Sequence, residues 1–148
     1  MRAVVQRVSE ARIEVEGEVV GAMGEGLLAL VGVARGDTTE HADTLARKLV
    51  GLRVFEGPAG GMDRSLLDVG GALGIVSQFT LLGETRKGRR PSFSEAADPE
   101  LARPLVERVV ESARSLGVEV ACGRFGARMR VSLVNEGPVT LWVDTRAR

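Results

Sequence analysis

Histidine and cysteine, the side chains on which many hydrolytic sites depend, occur only once each among the 148 residues of this chain. A Ser-His-Asp mechanism is not expected, because His41 falls in the first turn of a predicted helix, where we expect an exposed surface residue. One histidine and one cysteine also cannot supply the clustered ligands of a zinc site. Cys122 has no partner for an intrachain disulfide, and we interpret it as a buried, inert thiol rather than a nucleophile. We therefore expect neither a metal nor a cofactor.

Net charge and long hydrophobic runs are also missing. The 20 lysines and arginines balance 20 aspartates and glutamates, so any contact with nucleic acid must depend on a local patch of cations. The longest apolar run, residues 27–34, is far shorter than the roughly 20 residues of a membrane-spanning helix, and no membrane role is expected. No signal sequence precedes the first strand-like segment, and the sequence therefore predicts a cytoplasmic protein.

Length and composition predict a single domain over residues 1–148. Apolar residues make up 44% of the chain and charged residues 27%, which is ordinary for a globular protein and unlike a disordered one. A chain of this length buries about two thirds of its unfolded surface in one core. We find no repeats, linkers or low-complexity segments.

Alternating apolar and polar residues predict strands at both ends of the chain. Residues 4–8 and 11–15 alternate with period two, and Glu16-Gly17-Glu18 suits a hairpin turn after them. Residues 27–33 form a short apolar run that is typical of a central strand. Further strands are predicted at residues 73–82, 118–121, 129–134 and 139–143, the last two separated by a turn at residues 135–138.

Two helices are predicted between these strands. Asp37 with Glu40 forms a plausible capping box for a helix that ends near Gly51. Asp98 followed by Pro99 gives the N-cap and first position of a second helix.

The stretch at residues 57–65 is rich in glycine, but it lacks the Gly-Lys-Ser/Thr ending of a phosphate loop and precedes no clear helix, so we interpret it as a flexible hairpin connection. The fold class that follows is α+β: a mainly antiparallel, curved or barrel-like β-sheet covered by two helices on one side.

Two polar segments are not explained by the fold alone. Ser77-Gln78-Phe79-Thr80 interrupts a predicted apolar strand, where polar groups must either find backbone partners or serve a function. In Asn135-Glu136-Gly137-Pro138-Val139-Thr140 the Gly-Pro bond could be cis, although a plain hairpin turn is the simpler interpretation.

Together these segments resemble the paired signatures of the D-aminoacyl-tRNA deacylase (D-tyrosyl-tRNA(Tyr) deacylase) family. The resemblance covers essentially the whole chain. Further segments fall where that family has them: Gln6-Arg7-Val8, Gly26-Leu27-Leu28, Gly88 with Arg90-Pro91-Ser92-Phe93, Gly123-Arg124-Phe125 and Val131-Ser132-Leu133-Val134. One departure is Glu136, where many relatives carry aspartate; both are acidic, so we expect little consequence.

The resemblance implies an enzyme that hydrolyses the ester bond of D-aminoacyl-tRNA and works as a homodimer. The implied catalytic residues are Ser77, Gln78, Phe79 and Thr80. Gly137 and a cis Pro138 from the partner subunit would enter the pocket and leave no room for an L side chain. Mischarged glycyl-tRNA, which has no side chain to exclude, would be a second substrate.

The resemblance also implies supporting positions, at Arg7, Met129 and Asn135.

The chemistry of ester cleavage is open between two mechanisms. Thr80 could attack as a nucleophile, but its hydroxyl is a weak one and no general base is evident beside it. Alternatively, water attacks with help from the ribose 2′-hydroxyl of the tRNA, while backbone N–H groups near Phe79 and Thr80 stabilise the oxyanion. We favour the second mechanism.

A basic run offers a contact for the tRNA: Arg86, Lys87, Arg89 and Arg90 supply four cations within five residues. We expect it to bind phosphates near the acceptor end, although such runs are often only solvated loops. For Phe79 and Phe125 we expect core packing rather than stacking on the terminal adenine. Two other classes stay open: a non-catalytic RNA- or protein-binding β domain, and a hydrolase of small amino-acid substrates.

Overall fold

A long N-terminal strand organises the sheet. In a computed structural model that describes residues 1–146, β1 (Arg2–Val15) is one continuous strand rather than the two predicted. Its first half pairs antiparallel with β3 (Gly26–Gly32), and its second half pairs antiparallel with β2 (Glu18–Met23). The turn that joins β1 to β2 lies at Glu16 and Gly17, as predicted. The two predicted strands are therefore two halves of one strand with different partners.

The sheet continues with two strands that run parallel to β3. β6 (Ala72–Ser77) pairs with β3, and β7 (Glu119–Cys122) pairs with β6. The strand order is β2-β1-β3-β6-β7, and β8 (Arg130–Asp144) pairs with the other edge of β1. Because β2 packs against β7, the sheet curls into a nearly closed barrel. The α+β, barrel-like fold is confirmed, with a sheet that is mixed rather than wholly antiparallel.

A small separate hairpin carries the glycine-rich connection. β4 (Phe55–Glu56) and β5 (Met62–Arg64) pair antiparallel, and residues 57–61 join them. The hairpin interpretation is therefore confirmed for residues 57–61, but the expectation that no helix follows residue 65 was wrong, because Ser65 caps a short helix that begins at Leu66.

Over residues 1–146, three α-helices, not two, accompany the sheet: α1 (Thr39–Gly51), α2 (Leu66–Val69) and α3 (Pro99–Ser115). α3 begins as predicted, with Asp98 as N-cap and Pro99 as first residue. α2 was missed, since four residues are too few to show a helical period. Within residues 1–146, no helix is long and apolar enough to cross a bilayer.

The N-terminus of α1 differs from the prediction by one residue. The N-cap is Thr38, whose backbone N–H donates to Nδ1 of His41 at 3.0 Å. Asp37 does not cap the helix because its carboxylate accepts the Ala34 N–H at 2.6 Å and pairs with Arg146 at 3.0 Å. His41 is consequently half-buried in a capping role, and the expectation of an exposed surface residue was wrong.

The main core lies between one face of the sheet and the helices α1 and α3. Burying each leucine or valine side chain here stabilises the fold by about 1.5–3 kcal/mol. Its members include Val5, Leu27, Val31, Leu73 and Ile75 from the sheet, and Leu45, Leu49, Val106 and Val109 from the helices. A second, smaller core fills the inside of the barrel and includes Val8, Ile13, Leu28 and Val76. An ion pair also joins the helices, since Arg108 Nε of α3 donates to Asp43 Oδ1 of α1 at 2.8 Å.

The strand predicted at residues 73–82 is wrong in its second half. β6 ends at Ser77, and Phe79–Leu82 form a single turn of 3₁₀ helix. The Gln78 N–H makes a 2.7 Å bond to the Val31 carbonyl, after which Leu81 N–H folds back to the Gln78 carbonyl at 3.2 Å. Leu82 remains 2% exposed, so the apolar pattern continues although the strand does not.

The turn predicted at residues 135–138 is also wrong, because β8 runs without a break from Arg130 to Asp144. In its pairing with β1, Gln6 faces Thr140 and Val8 faces Asn135. Residues 136–139 therefore stand opposite Arg7 alone and form a bulge, which we call the 136–139 bulge. The peptide bond between Gly137 and Pro138 within it is cis.

Candidate active site

A cavity of about 650 Å³ opens at the end of β6, between the sheet and the start of α3. Three of the four predicted catalytic residues, Ser77, Gln78 and Phe79, line it, and Met129 lines it from the segment before β8. Val31 and Val76 supply apolar wall. A pocket that is largely apolar with a few converging polar groups is the usual form of a small-molecule site.

The 3₁₀ turn fixes the polar groups at the cavity. The side-chain amide of Gln78 donates to the hydroxyl of Thr80, which is exposed. Thr80 therefore bonds to a neighbouring side chain rather than to backbone, contrary to the purely structural alternative. The N–H groups of Phe79 and Thr80 open the turn, where a helix offers them no carbonyl. Across residues 1–146 neither donates to a backbone carbonyl elsewhere. Both amides are available to an anionic oxygen.

An aromatic pair stands over the turn. The rings of Phe79 and Phe93 meet edge to face, with centroids 5.1 Å apart. Phe79 is 58% exposed, so the expectation that it packs in the core was wrong. Phe125 is half-buried and packs against the main core while also lining the cavity. Sequence reasoning missed Phe93 as a wall residue, because its position depends on how residues 83–97 fold back over the turn.

The 136–139 bulge is fixed by side chains at its base. Arg7 donates from Nε to the Glu136 carbonyl at 3.0 Å and from Nη1 to the Val54 carbonyl at 2.6 Å. The carboxamide of Asn135 accepts the Val139 N–H at 3.0 Å and donates to the Thr140 hydroxyl at 3.0 Å. Glu136, Gly137 and Pro138 are exposed. Arg7 and Asn135 thus hold a projecting segment in one shape.

The bulge and the cavity do not meet within one chain. Along the sheet, Ala3 faces Val31, which in turn faces Ser77, so Ser77 of the cavity wall lies at the level of Ala3. Arg7, opposite the bulge, lies four residues further along β1, and at about 3.3 Å per residue this separates the two by about 13 Å. The structure therefore gathers the predicted site residues into two groups, one in the cavity wall and one in the bulge.

The basic run at residues 86–90, which we call the basic loop, lies in the chain between the 3₁₀ turn and the cavity-lining Phe93. One of its four cations is already paired. Arg86 lies 2.9 Å from the carboxylate of Glu84, and this hydrogen bond lowers the pKa of Glu84 and raises the pKa of Arg86. Lys87, Arg89 and Arg90 are exposed. In the part of the chain that the structure describes, none of these three has a carboxylate within 4.0 Å.

Metal-binding groups are not clustered in this region or elsewhere in residues 1–146, where no three His, Cys, Asp or Glu side chains could hold an ion together. Cys122 is a free thiol in β7 and is half-buried rather than fully buried.

Comparison with known proteins decides the family. The family model for D-Tyr-tRNA(Tyr) deacylase matches residues 4–144. The chain belongs to the D-Tyr-tRNA(Tyr) deacylase family. The D-aminoacyl-tRNA deacylase of Thermomicrobium roseum is 57% identical over 145 residues, covering 98% of this chain and 94% of that protein. The D-aminoacyl-tRNA deacylase of Roseiflexus castenholzii is 56% identical, covering 98% of this chain and 92% of its own.

Two solved structures share the fold of this chain. The c-Myc DNA unwinding element binding protein superimposes with a TM-score of 0.93 and is 37% identical, covering 99% of this chain and 100% of its own. A probable eukaryotic D-amino acid tRNA deacylase has a TM-score of 0.80 at 20% identity, covering 96% of this chain and 97% of its own, a likeness of fold alone. The expected resemblance to a hydrolase family acting on the aminoacyl-tRNA ester is confirmed.

Proposed function

We propose that this chain hydrolyses the ester bond of D-aminoacyl-tRNA in a homodimer, and that the 136–139 bulge of each subunit completes the cavity of the other. Family membership supports the reaction. The observation that carries the shared site is the separation of about 13 Å between wall and bulge along β1. A projecting bulge that does not line its own cavity is suited to fill a symmetry-related one, as an isologous dimer allows.

Chiral selection on this proposal is steric. The backbone carbonyls of Gly137 and Pro138, held rigid by Arg7 and Asn135, accept hydrogen bonds from the α-amino group of the substrate. With that group and the ester carbonyl fixed, an L side chain points into the inserted backbone and a D side chain points away from it. Glycine carries no side chain, so mischarged glycyl-tRNA passes the same filter.

The chemistry is attack by water. A water oxygen adds to the ester carbonyl, the bond to the ribose oxygen breaks, and that oxygen takes a proton as it leaves. The free N–H groups of Phe79 and Thr80 stabilise the negative charge on the carbonyl oxygen, and the neighbouring ribose hydroxyl of the tRNA assists the proton transfer. Positioning suffices for much of the rate, because an aminoacyl ester is already reactive.

Replacing Thr80 tests this mechanism against a nucleophilic threonine. Thr80→Ala keeps its backbone N–H and should retain measurable deacylation of D-tyrosyl-tRNA in a single-turnover assay. Complete loss of activity with normal substrate binding would instead show that the hydroxyl attacks.

Mixed dimers test the shared site directly. Gly137→Val should disable the bulge, since a Cβ at Gly137 (φ +130) would already lie 2.8 Å from Nη2 of Arg7. Gln78→Ala with Phe79→Ala should disable the wall. Co-expression should restore activity, because each heterodimer then has one site with both defects and one intact site. If wall and bulge served the same chain, every site would be defective and the mixture would stay inactive.

The substrate class is tested with wild-type protein. D-tyrosyl-tRNA, glycyl-tRNA and L-tyrosyl-tRNA are compared with a free D-tyrosine ester. Cleavage of the first two and sparing of the L form supports the proposal. Cleavage of the free ester alone would indicate a small-substrate hydrolase, and binding of tRNA without cleavage would indicate a non-catalytic RNA-binding domain.

The exposed cations of the basic loop are proposed to contact tRNA phosphates. Arg89→Ala with Arg90→Ala should make log K for tRNA less dependent on log salt, by about 0.7 for each single-strand phosphate that the protein no longer neutralises. An unchanged salt slope would reject this role of the loop. Arg86 should contribute less, since Glu84 already pairs with it.

A further inference from the structure

Arg103 lines the cavity on the side of α3, and two more arginines, Arg124 and Arg128, lie next in sequence to residues that line it. None of the three was predicted from the sequence to bind tRNA. The guanidinium carbon of Arg103 lies 5.1 Å from the centre of the Phe125 ring. Phe125 and Ala127 line the same wall. The arginine stacked on Phe125 is therefore held at the cavity by an aromatic ring rather than by an acid.

Arg124 and Arg128 flank that wall segment. The Ala127 N–H donates to the Arg124 carbonyl at 3.1 Å, which closes a four-residue turn and brings the residues on either side of it together. Arg124 and Arg128 are exposed, as is Arg103. We call Arg103, Arg124 and Arg128 the arginine rim.

The arginine rim is not neutralised by neighbouring acids. Among residues 1–146, no carboxylate lies within 4.0 Å of any of its three guanidinium groups, whereas Arg35 at the same cavity is 3.9 Å from Asp98. The chain as a whole carries no net charge. Unpaired arginines gathered beside a cavity therefore create a local positive field that the composition does not reveal.

We propose that the arginine rim binds the phosphodiester backbone of the single-stranded 3′ end of tRNA, as a second RNA contact besides the basic loop. The inference rests on the proposed function, since an ester bond in the cavity places the last nucleotides of the tRNA at its mouth. The guanidinium group suits this role because its planar donors match phosphate oxygens. Backbone contacts of this kind position a strand without reading its sequence.

The test is a salt series on the binding of fluorescently labelled, uncharged tRNA to Arg124→Gln with Arg128→Gln. The slope of log K against log salt should become shallower by about 1.4, the value for two single-strand phosphate contacts. Lys48→Gln with Arg64→Gln is the matched control, since these exposed cations of α1 and β5 lie outside the cavity lining. The control should keep the wild-type slope. Equal slopes in wild type and the Arg124, Arg128 variant would overturn the proposal.

Activity supplies a second readout. The arginine variant should raise KM for D-tyrosyl-tRNA about tenfold, equivalent to ~1.4 kcal/mol, and leave kcat unchanged. Hydrolysis of 3′-O-(D-tyrosyl)adenosine, which has no phosphate, should match wild type. If the arginine variant lost as much activity on this small substrate as on tRNA, the effect would lie in the geometry of the cavity, and the proposal would be overturned. Failure of wild-type protein to cleave D-tyrosyl-tRNA would defeat the proposed function. The salt series on tRNA binding tests the arginine rim whether or not the protein cleaves this substrate.

Discussion

The cavity wall and the 136–139 bulge are both polar interruptions of apolar strands, but they are built in different ways. At the wall, β6 ends, and backbone bonds such as that from Gln78 to Val31 turn the chain into a 3₁₀ helix. At the bulge, residues 136–139 of β8 do not pair with β1, and the pairing resumes at Thr140. The side chains of Arg7 and Asn135 fix the position of these residues. The wall is built by backbone bonds within one chain, whereas the bulge is a projection held by side chains, which we propose to serve the cavity of a partner subunit.

Removal of Arg7 should have the largest effect on activity, because it disrupts the bulge and leaves the wall unchanged. Arg7→Ala deletes the bonds to the carbonyls of Glu136 and Val54, and hydrogen bonds to a charged group contribute about 1.5–3 kcal/mol each. We expect kcat/KM for D-tyrosyl-tRNA to fall about a hundredfold or more, with the cavity wall intact. Arg12→Ala, at an arginine of the same strand that is 55% exposed, is the control and should be near wild type. Wild-type turnover by Arg7→Ala would exclude the bulge from the site.

A weaker aromatic pair should have a smaller effect on activity, because it changes the wall and leaves the bulge unchanged. Phe93→Leu removes the edge-to-face contact with Phe79, and such a pair contributes about 0.5–1.5 kcal/mol beyond area burial. KM should rise about three- to tenfold. The ratio of D to L turnover should not change if the bulge selects the enantiomer, as we propose. A relaxed ratio would show that the wall also selects the enantiomer.

The smallest effect is expected far from both regions, at the ion pair between α1 and α3. Hydrogen bonds from Arg108 and then Ser112 lower the pKa of Asp43 from 3.8 to about 2. Because the folded value lies below the ordinary one, the ionised carboxylate stabilises the fold above 3.8, and this stabilisation is lost as pH falls to about 2.

Asp43→Asn should therefore melt at a slightly lower temperature than wild type near neutral pH, and the two melting curves should converge in strong acid. Its kcat/KM should equal that of wild type. A difference in melting temperature that persists in strong acid would assign the effect to packing rather than to charge.

The sequence correctly predicted those elements whose ends are determined by capping, proline and turn residues close by in the chain. Asp98 and Pro99 marked the start of α3 because capping and a fixed proline φ act within one turn. The hairpin at Glu16 and Gly17 was found for a similar reason. The one-residue error at Asp37 arose because its carboxylate is taken by distant partners, including Arg146.

The larger errors came where tertiary pairing overrides local pattern. Leu81 and Leu82 extend the apolar run of β6, yet the strand ends at Ser77, since the chain turns after Gln78 binds Val31. Gly137-Pro138 is typical of a turn, yet β1 continues to pair on both sides of it. The motifs named the residues of the wall and the bulge through family resemblance. The resemblance also implied that the two come from different subunits, and the strand register shows that they lie apart within one chain.

Gly32 links the catalytic geometry to the centre of the sheet. A Cβ at this position of β3 would lie 2.7 Å from the Leu82 side chain and 3.0 Å from the Gln78 carbonyl. The 3₁₀ turn therefore packs directly against the backbone of β3, because residue 32 has no side chain to separate them. Natural variants of this protein should tolerate insertions in the glycine-rich hairpin connection but almost no substitution at residue 32, where even one added methyl group would shift the amides of Phe79 and Thr80 that we propose as the oxyanion donors.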